Sequence, residues 1–277
     1  MDIKYLLFNL YYRKFLPFFL KHQISSLPDQ LSLISQLLRE KKFTFIILDS
    51  CRYDSFKNTI MLKNIGKKFK GYDLQAVRSA GSNTYEWLPI VFSLKEMKEI
   101  KIFSCHPAIN KMKEPFKAFT ASRYIPTKNI VSLDNKCWDE DLLTCPPKKV
   151  RRAVVNEGLS DKNLIWFIQP HFPWLFDPQL TRKVLEINDE LHVLGESIKQ
   201  AMIELNIPAD KIRGYYNASL HITLIEVFKM LRKLEPLGRI VISSDHGELL
   251  GEYNLYNHYK DMHLPELMTV PWFEVEL

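Results

Sequence analysis

Little in this chain of 277 residues points to a cysteine-built, membrane-spanning or nucleic-acid-binding protein. Its four cysteines, Cys51, Cys105, Cys137 and Cys145, lack the paired short spacings of a zinc ribbon, and a chain of this length needs no disulfides to hold a fold. Cys137 and Cys145 are near enough in sequence to bridge a loop, but no small-residue cleavage site of a signal peptide is present. A reducing compartment is therefore expected, which places the protein in the cytoplasm, with peripheral contact at the inner face of the membrane if its amino terminus binds lipid. That terminus, MDIKYLLFNLYYRKFLPFFL, is interrupted by Lys4, Arg13 and Lys14 and broken by Pro17. A spanning helix needs about 20 mostly apolar residues. Two readings stay open for residues 1–20: a helix lying in a membrane interface with its cations toward headgroups, or a helix packed on the domain with its charges in water. No basic stripe with interleaved aromatics occurs elsewhere, so nucleic-acid binding is not expected as a main role. The net charge of +6, from 38 basic and 32 acidic residues spread along the chain, leans only weakly toward anionic partners.

What the chain does contain is an alternation of apolar runs and helical patterns, with no internal repeat. KFTFIILD is a continuous apolar run rich in aromatic and β-branched residues, which suits a strand buried on both faces. IKIFS (100–104), NLIWFIQ (163–169), RIVISS (239–244) and TVPWFEV (269–275) are of the same kind. SLPDQLSLISQLLRE and YYNASLHITLIEVFKMLRKL carry helical apolar spacing. The class expected is α/β, a mostly parallel central sheet with helices on both faces. Residues 1–42 read as an amino-terminal helical segment and 43–277 as the main domain. Within it, residues 105–150 form a long irregular excursion rich in Pro and Lys, of the sort that often carries function.

In open parallel sheets ligands gather at the carboxyl ends of strands. Asp49 ends the first apolar run, His171 follows the NLIWFIQ run, and Asp245 with His246 follows RIVISS. Carboxylate and imidazole at one sheet edge form a ligand set for a divalent cation. An Asp at such a place can also simply cap the next helix, and a histidine can be a hydrogen-bonded structural one.

SSDHGELLGE resembles the metal-binding signature of the sulfatase-like branch of the alkaline phosphatase superfamily, and IILDSCRYDSF resembles its opening segment. The order of the remaining pieces is similar too: a nucleophile segment, a strand followed by PHFPW, a long helix, the Asp-His strand, a further His, and a closing VPW strand. The resemblance spans roughly residues 43 to 275 and implies an alkaline phosphatase-like α/β/α sandwich. It implies that Asp49, Asp245 and His246 hold a divalent cation (Zn, Ca, Mg or Mn) together with the nucleophile. In RSAGSNTYEWLPIVFS that nucleophile is Thr84, with Ser82 as the fallback, though either residue can instead cap the helix that follows. By the same resemblance His258 and His171 serve catalysis, His258, Arg52 and Ser82 contact substrate, and Arg52 with Asp54 brace the first loop. His263 is too variably placed in the family to assign.

The chain departs from the sulfatases in one respect. It has no Cys/Ser-x-Pro-x-Arg string for formylglycine; CHPAI comes nearest, with Ile109 where Arg is required. A Thr nucleophile is instead what phosphodiesterases and phosphoethanolamine or glycerophosphate transferases of the superfamily use. The expectation is thus a metal-dependent hydrolase or transferase of phosphate esters or diesters, acting on an anionic small molecule, a glycan or a lipid headgroup. A sulfate-ester hydrolase without formylglycine and a non-catalytic anion-binding member of the fold are the alternatives. Ser50 stands where many sulfatases carry a second Asp, which favours one cation site over two. The end at VPWFEVEL, where many members run on, implies a compact catalytic domain.

Overall fold

The structure, a computed structural model, describes residues 7–8, 10–62, 69–110, 124–234 and 238–276. Part of the 105–150 excursion (111–123) and residues 1–6 and 9 of the amino-terminal segment therefore lie outside the described residues. Among those described, seven strands build the central sheet: β1 (Phe43–Leu48), β2 (Gly71–Arg78), β3 (Lys101–Ser104), β4 (Ile130–Ser132), β5 (Lys162–Phe167), β6 (Arg239–Ser243) and β9 (Thr269–Glu276). A separate ribbon pairs β7 (Leu249–Leu250) with β8 (Tyr256–Asn257). The sheet order is β2-β9-β6-β1-β5-β3-β4. The pairings of β1 with β5 and β6, and of β3 with β4 and β5, are parallel.

Every residue of β1 is buried, because its side chains alternate between two cores. Ile46 and Leu48 join Phe103, Ile165, Phe167 and Ile242 on one face. Phe43, Phe45 and Ile47 join Ile102, Leu164, Trp166 and Val241 on the other. Helices cover both. Phe56 of Tyr53–Leu62, Val150 and Val154 of Pro147–Glu157, and Leu220, Leu224 and Val227 of Ala209–Leu231 fill the first core. Ile34 and Leu37 of Gln30–Leu37, and Trp87, Leu88 and Val91 of Thr84–Phe92, fill the second. Each such side chain removed from water contributes about 1.5–3 kcal/mol, so the two-faced burial of the central strands is what holds the sandwich together. The result is the three-layer α/β/α arrangement expected from the apolar runs.

Two strands of the central sheet and both strands of the ribbon have no counterpart among the apolar runs, and one strand runs the other way. β2 is a half-exposed edge strand without an apolar run, and β4 is three residues long. β9 is antiparallel to both β6 and β2. Among residues 244–268, which join β6 to β9, the one α-helix is the four-residue Pro265–Met268, so the connection holds no crossover helix of the kind a parallel neighbour uses. All four cysteines are free and buried in the first core.

Candidate metal centre and active site

The site lies where β1 and β6, paired side by side, run out at their carboxyl ends. Past β1 the Asp49 N–H still donates to the Phe167 carbonyl, so the carboxylate is fixed by the sheet itself. Ser50 then turns the chain with a φ of 58°. This loop is pinned on three sides. Ser50 N–H donates to Asp245 Oδ1 at 3.1 Å, Cys51 N–H to Ser244 Oγ at 2.7 Å, and Arg52 N–H to the Tyr216 hydroxyl at 2.9 Å. Past β6, Ser244 donates to the Leu48 carbonyl at 2.7 Å, locking the two strand ends together. Gly247 follows because the backbone of residues 266–267 passes so close that a Cβ would stand 2.0 Å from the Glu266 carbonyl oxygen.

Asp49, Asp245 and His246 are fully buried, and each presents an atom within 4.8 Å of the others. His246 Nδ1–H donates to the Gly247 carbonyl at 2.7 Å, which leaves Nε2 with a lone pair directed inward. That Nε2 stands 3.1 Å from Asp245 Oδ2 and 3.1 Å from Thr84 Oγ. Thr84 opens the Thr84–Phe92 helix, yet its hydroxyl is not used for capping: Asn83 caps the helix, its Oδ1 accepting from Glu86 N–H at 3.0 Å. Thr84 instead donates to Asp245 Oδ2 at 2.7 Å.

The electrostatics of this cluster call for a positive charge. Burial, followed by the charge of Asp245, pushes Asp49 well above the usual carboxylate range. Burial acts the same way on Asp245, but His246, Thr84 and the Ser50 N–H hold it ionised. Burial disfavours the imidazolium of His246, and the two carboxylates nonetheless raise its pKa to about 9. Arg52 does not neutralise the cluster, since its guanidinium is engaged by Asp54 (2.9 and 2.7 Å), Glu252 (2.6 Å) and the Glu248 carbonyl (3.1 Å). Two carboxylates, an imidazole lone pair and a hydroxyl thus converge in a buried space, and the donor set fits a divalent cation of borderline hardness.

A second cluster adjoins the first. His171, Glu248 and His258 also bring ligand atoms within 4.8 Å of one another. His171 N–H donates to the Asp49 carbonyl at 3.2 Å and its Nδ1–H to the Phe172 carbonyl, leaving Nε2 open. His258 Nδ1 lies 3.2 Å from Glu248 Oε1, and its ring centroid is 4.2 Å from that of His246 and 5.1 Å from that of His171. Burial lowers the pKa of both His171 and His258. Burial raises Glu248 to about 7, against the pull of His171 and His246.

The structure therefore gathers Asp49, Thr84, His171, Asp245, His246 and His258 in one place. Ser82 and Arg52 are placed differently. The Ser82 hydroxyl donates to Glu86 (2.9 Å) and the Tyr259 carbonyl (3.2 Å), and Arg52 ties the first loop to the 248–252 segment. Sequence reasoning missed Glu248, although it stands in the quoted SSDHGELLGE, and it missed His106. The His106 Nδ1 accepts from Ala108 N–H at 3.1 Å, so the neutral ring carries its proton on Nε2, 3.4 Å from Asp49 Oδ2. Trp166 Nε1–H donates to that same oxygen at 2.9 Å.

No protein-family profile matches this chain, and no curated protein sequence does. Solved structures do. The soluble domain of lipooligosaccharide phosphoethanolamine transferase A from Neisseria meningitidis superposes with a TM-score of 0.51 at 17% identity, over 83% of this chain and 75% of that one. The integral membrane form of that enzyme gives a TM-score of 0.53 at 15% identity, over 85% of this chain and 48% of that one. The C-terminal periplasmic domain of EcEptC from Escherichia coli, in complex with Zn, gives 0.51 at 12% identity, over 91% and 75%. At such identities the likeness is one of fold: this chain has the alkaline phosphatase-like fold of phosphoethanolamine transferase domains.

The same comparison corrects the expected location. The cytoplasmic assignment rested on the cysteine count and the missing signal-peptide pattern, whereas the EcEptC domain of this fold is periplasmic. The physical reason is burial. Four thiols sealed in an apolar core tell nothing of the redox state outside it. Among the described residues no helix is long and apolar enough to cross a membrane.

Proposed function

We propose that this protein is a metal-dependent phospho-group transferase or hydrolase acting on phosphate esters or diesters of lipid headgroups or glycans, with Thr84 as the nucleophile. The observation that carries this reading is the Thr84 hydroxyl, at a helix amino terminus capped by another residue, 2.7 Å from Asp245 and 3.1 Å from His246. Its proton is directed at a carboxylate, and the positive end of the helix favours the developing alkoxide. Asp49, Asp245, His246 and Thr84 would hold a divalent cation, which lowers the pKa of a bound hydroxyl and neutralises phosphoryl oxygens.

Attack of Thr84 Oγ on phosphorus forms the Oγ–P bond and expels the ester alcohol. His258 stacks between His246 and His171, and the proton it shares with Glu248 would hold a phosphoryl oxygen or pass to the leaving oxygen, while His171 would offer its open Nε2 lone pair as a ligand. An acceptor alcohol or water then attacks the same phosphorus, and Thr84 Oγ regains its proton. Arg52 keeps the loops in register, so its contribution is positional. The Zn complex of EcEptC and the lipooligosaccharide transferase activity of the Neisseria enzyme support both the cation and the headgroup-bearing substrate. An extracytoplasmic setting fits the same reading.

Paired aryl phosphate, phosphodiester and sulfate esters are the test, followed by mass spectrometry of the tryptic peptide bearing Thr84. Turnover of the phosphate compounds with a phosphorylated Thr84 is expected. Turnover of the sulfate ester alone, or of none of the three at full metal occupancy, overturns the proposal.

A further inference from the structure

The segment from Leu10 to Ser25 is helical almost throughout, as Tyr11–Phe15, Leu16–Leu20 and His22–Ser25, and it has two apolar faces. One is used. Phe8, Tyr12, Leu16 and Leu20 pack against the cluster of Leu249, Leu255, Met262, Leu264 and Leu267. The other faces solvent: Leu7, Leu10, Tyr11, Phe15, Phe18 and Phe19 are all exposed, the last two at 61% and 65%. Six large apolar side chains on one short helical stretch exceed what a soluble surface carries by chance.

The charge around this patch has one sign. Arg13, Lys14 and Lys21 lie on the same segment, the Lys21 ammonium rests 4.5 Å from the Phe18 ring centroid, and no Asp or Glu occurs from residue 3 to residue 28. In a symmetric contact between two copies these cations would face each other. Against anionic phosphate headgroups they are complementary, while the aromatic rings sink to the boundary of the acyl chains. We infer that the exposed face of residues 7–21 docks the protein on the surface of an anionic bilayer.

The position of the helix gives the docking a purpose. Tyr12 donates to the Tyr253 carbonyl at 3.4 Å, and the Phe8 ring lies 5.8 Å from that of Tyr259, the residue after His258. The docking face thus rides on the segment that carries Glu248 and His258 of the second cluster, and membrane contact brings that segment to the headgroups. This last step rests on the proposed function; the docking itself does not.

The test is co-sedimentation of the full chain with vesicles of phosphatidylcholine, alone and mixed with phosphatidylglycerol, beside sedimentation equilibrium without lipid. The parent protein should bind the mixed vesicles at least ~10-fold better than the neutral ones and lose binding as salt rises. Phe15→Ser/Phe18→Ser/Phe19→Ser should lower binding ~10-fold with the circular dichroism spectrum and melting temperature of the parent, which shows the fold is kept. Lys14→Glu/Lys21→Glu, which leaves the aromatic face intact, should remove the preference for anionic lipid. A parent that ignores both vesicles, a triple variant that binds as the parent does, or a lipid-free dimer that the triple variant dissolves would each overturn the inference. No turnover enters these measurements, so their failure is distinct from a failure of the phosphotransfer reading.

Discussion

Asp49, Asp245 and His246 stand one to three residues beyond paired central strands, whereas His171, Glu248 and His258 stand on loops and beside a two-residue ribbon strand. The first cluster is wholly buried and held by the sheet ladder; in the second, only Glu248 is buried and both histidines are half-buried. Both hold imidazole and carboxylate at ligand spacing. The difference in support implies a division of labour: a rigid cluster suits the permanent holding of a cation, and a looser, partly open one suits a substrate that must enter and leave.

The largest effect expected in this comparison is on the rigid side. Asp245→Asn removes a carboxylate that meets Thr84, His246 and the Ser50 N–H, and leaves a neutral amide, a far weaker ligand. Metal content by plasma emission and turnover should both fall to the detection limit. Full metal occupancy in that variant would dissolve the ligand assignment. Thr84→Ala should separate metal from chemistry: it should still bind the cation, more weakly, and lose turnover by at least ~100-fold. Thr84→Ser should keep a measurable part of the rate. If Thr84→Ala turned over at the parental rate while Ser82→Ala was dead, the nucleophile would move two residues upstream.

The looser cluster should respond more mildly. Glu248→Gln keeps the side-chain shape but removes the charge facing His258, and turnover should fall about 10-fold while the metal of the first cluster stays in place. Loss of that metal would mean the two clusters act as one. His106 offers a finer probe of the rigid side. It touches Asp49 without being a ligand in this geometry, so His106→Ala should raise the metal dissociation constant ~10-fold, the low end of what outer partners of a metal ligand contribute. His106→Gln, whose amide can place an N–H near the same oxygen, should restore most of it.

The contrast between the clusters also explains what was legible beforehand. Asp49, Asp245 and His246 announce themselves because an apolar run ends abruptly in polar residues, and a run buried on both faces must end at a sheet edge. Thr84 emerged through its resemblance to a nucleophile helix, and the structure adds the reason its hydroxyl is available, the Asn83 cap. Glu248 sits in a turn where any exposed acid would look the same, and only the fold reveals that it is buried. Gln30 is similar. It reads as an ordinary polar helix residue, yet its amide joins Ser243, Ser244 and Trp87 and so ties the Gln30–Leu37 helix to the end of β6. β2 escaped because a half-exposed edge strand such as GYDLQAVR has neither an apolar run nor clean alternation. Pairing direction is not written in an apolar run at all, which is why β9 was read only as one more strand.

The smallest effect concerns the brace between the two regions. Glu86, in the first turn of the Thr84 helix, accepts from Ser82 N–H (2.7 Å), the Ser82 hydroxyl (2.9 Å) and Asp261 N–H, and its Oε2 lies 3.5 Å from His263 Nε2. It thereby fastens the Thr84–Phe92 helix to the segment just past His258. Burial works to raise its pKa, but His263 and these N–H and O–H donors together lower it to about 2. A carboxyl whose folded pKa lies below its unfolded value of roughly 4.3 adds stability above that value, and the addition is lost as pH falls through the folded pKa. Glu86→Gln should therefore cost about 1 kcal/mol in urea unfolding at pH 7, a modest figure because water reaches part of the cluster. The difference between parent and variant should shrink as pH drops from about 4.3 toward 2. The variant should keep its metal and lose only a few-fold in turnover, through looser register between Thr84 and His258. A difference in stability that stayed constant across that pH window would show that Glu86 acts through packing and not through its charge.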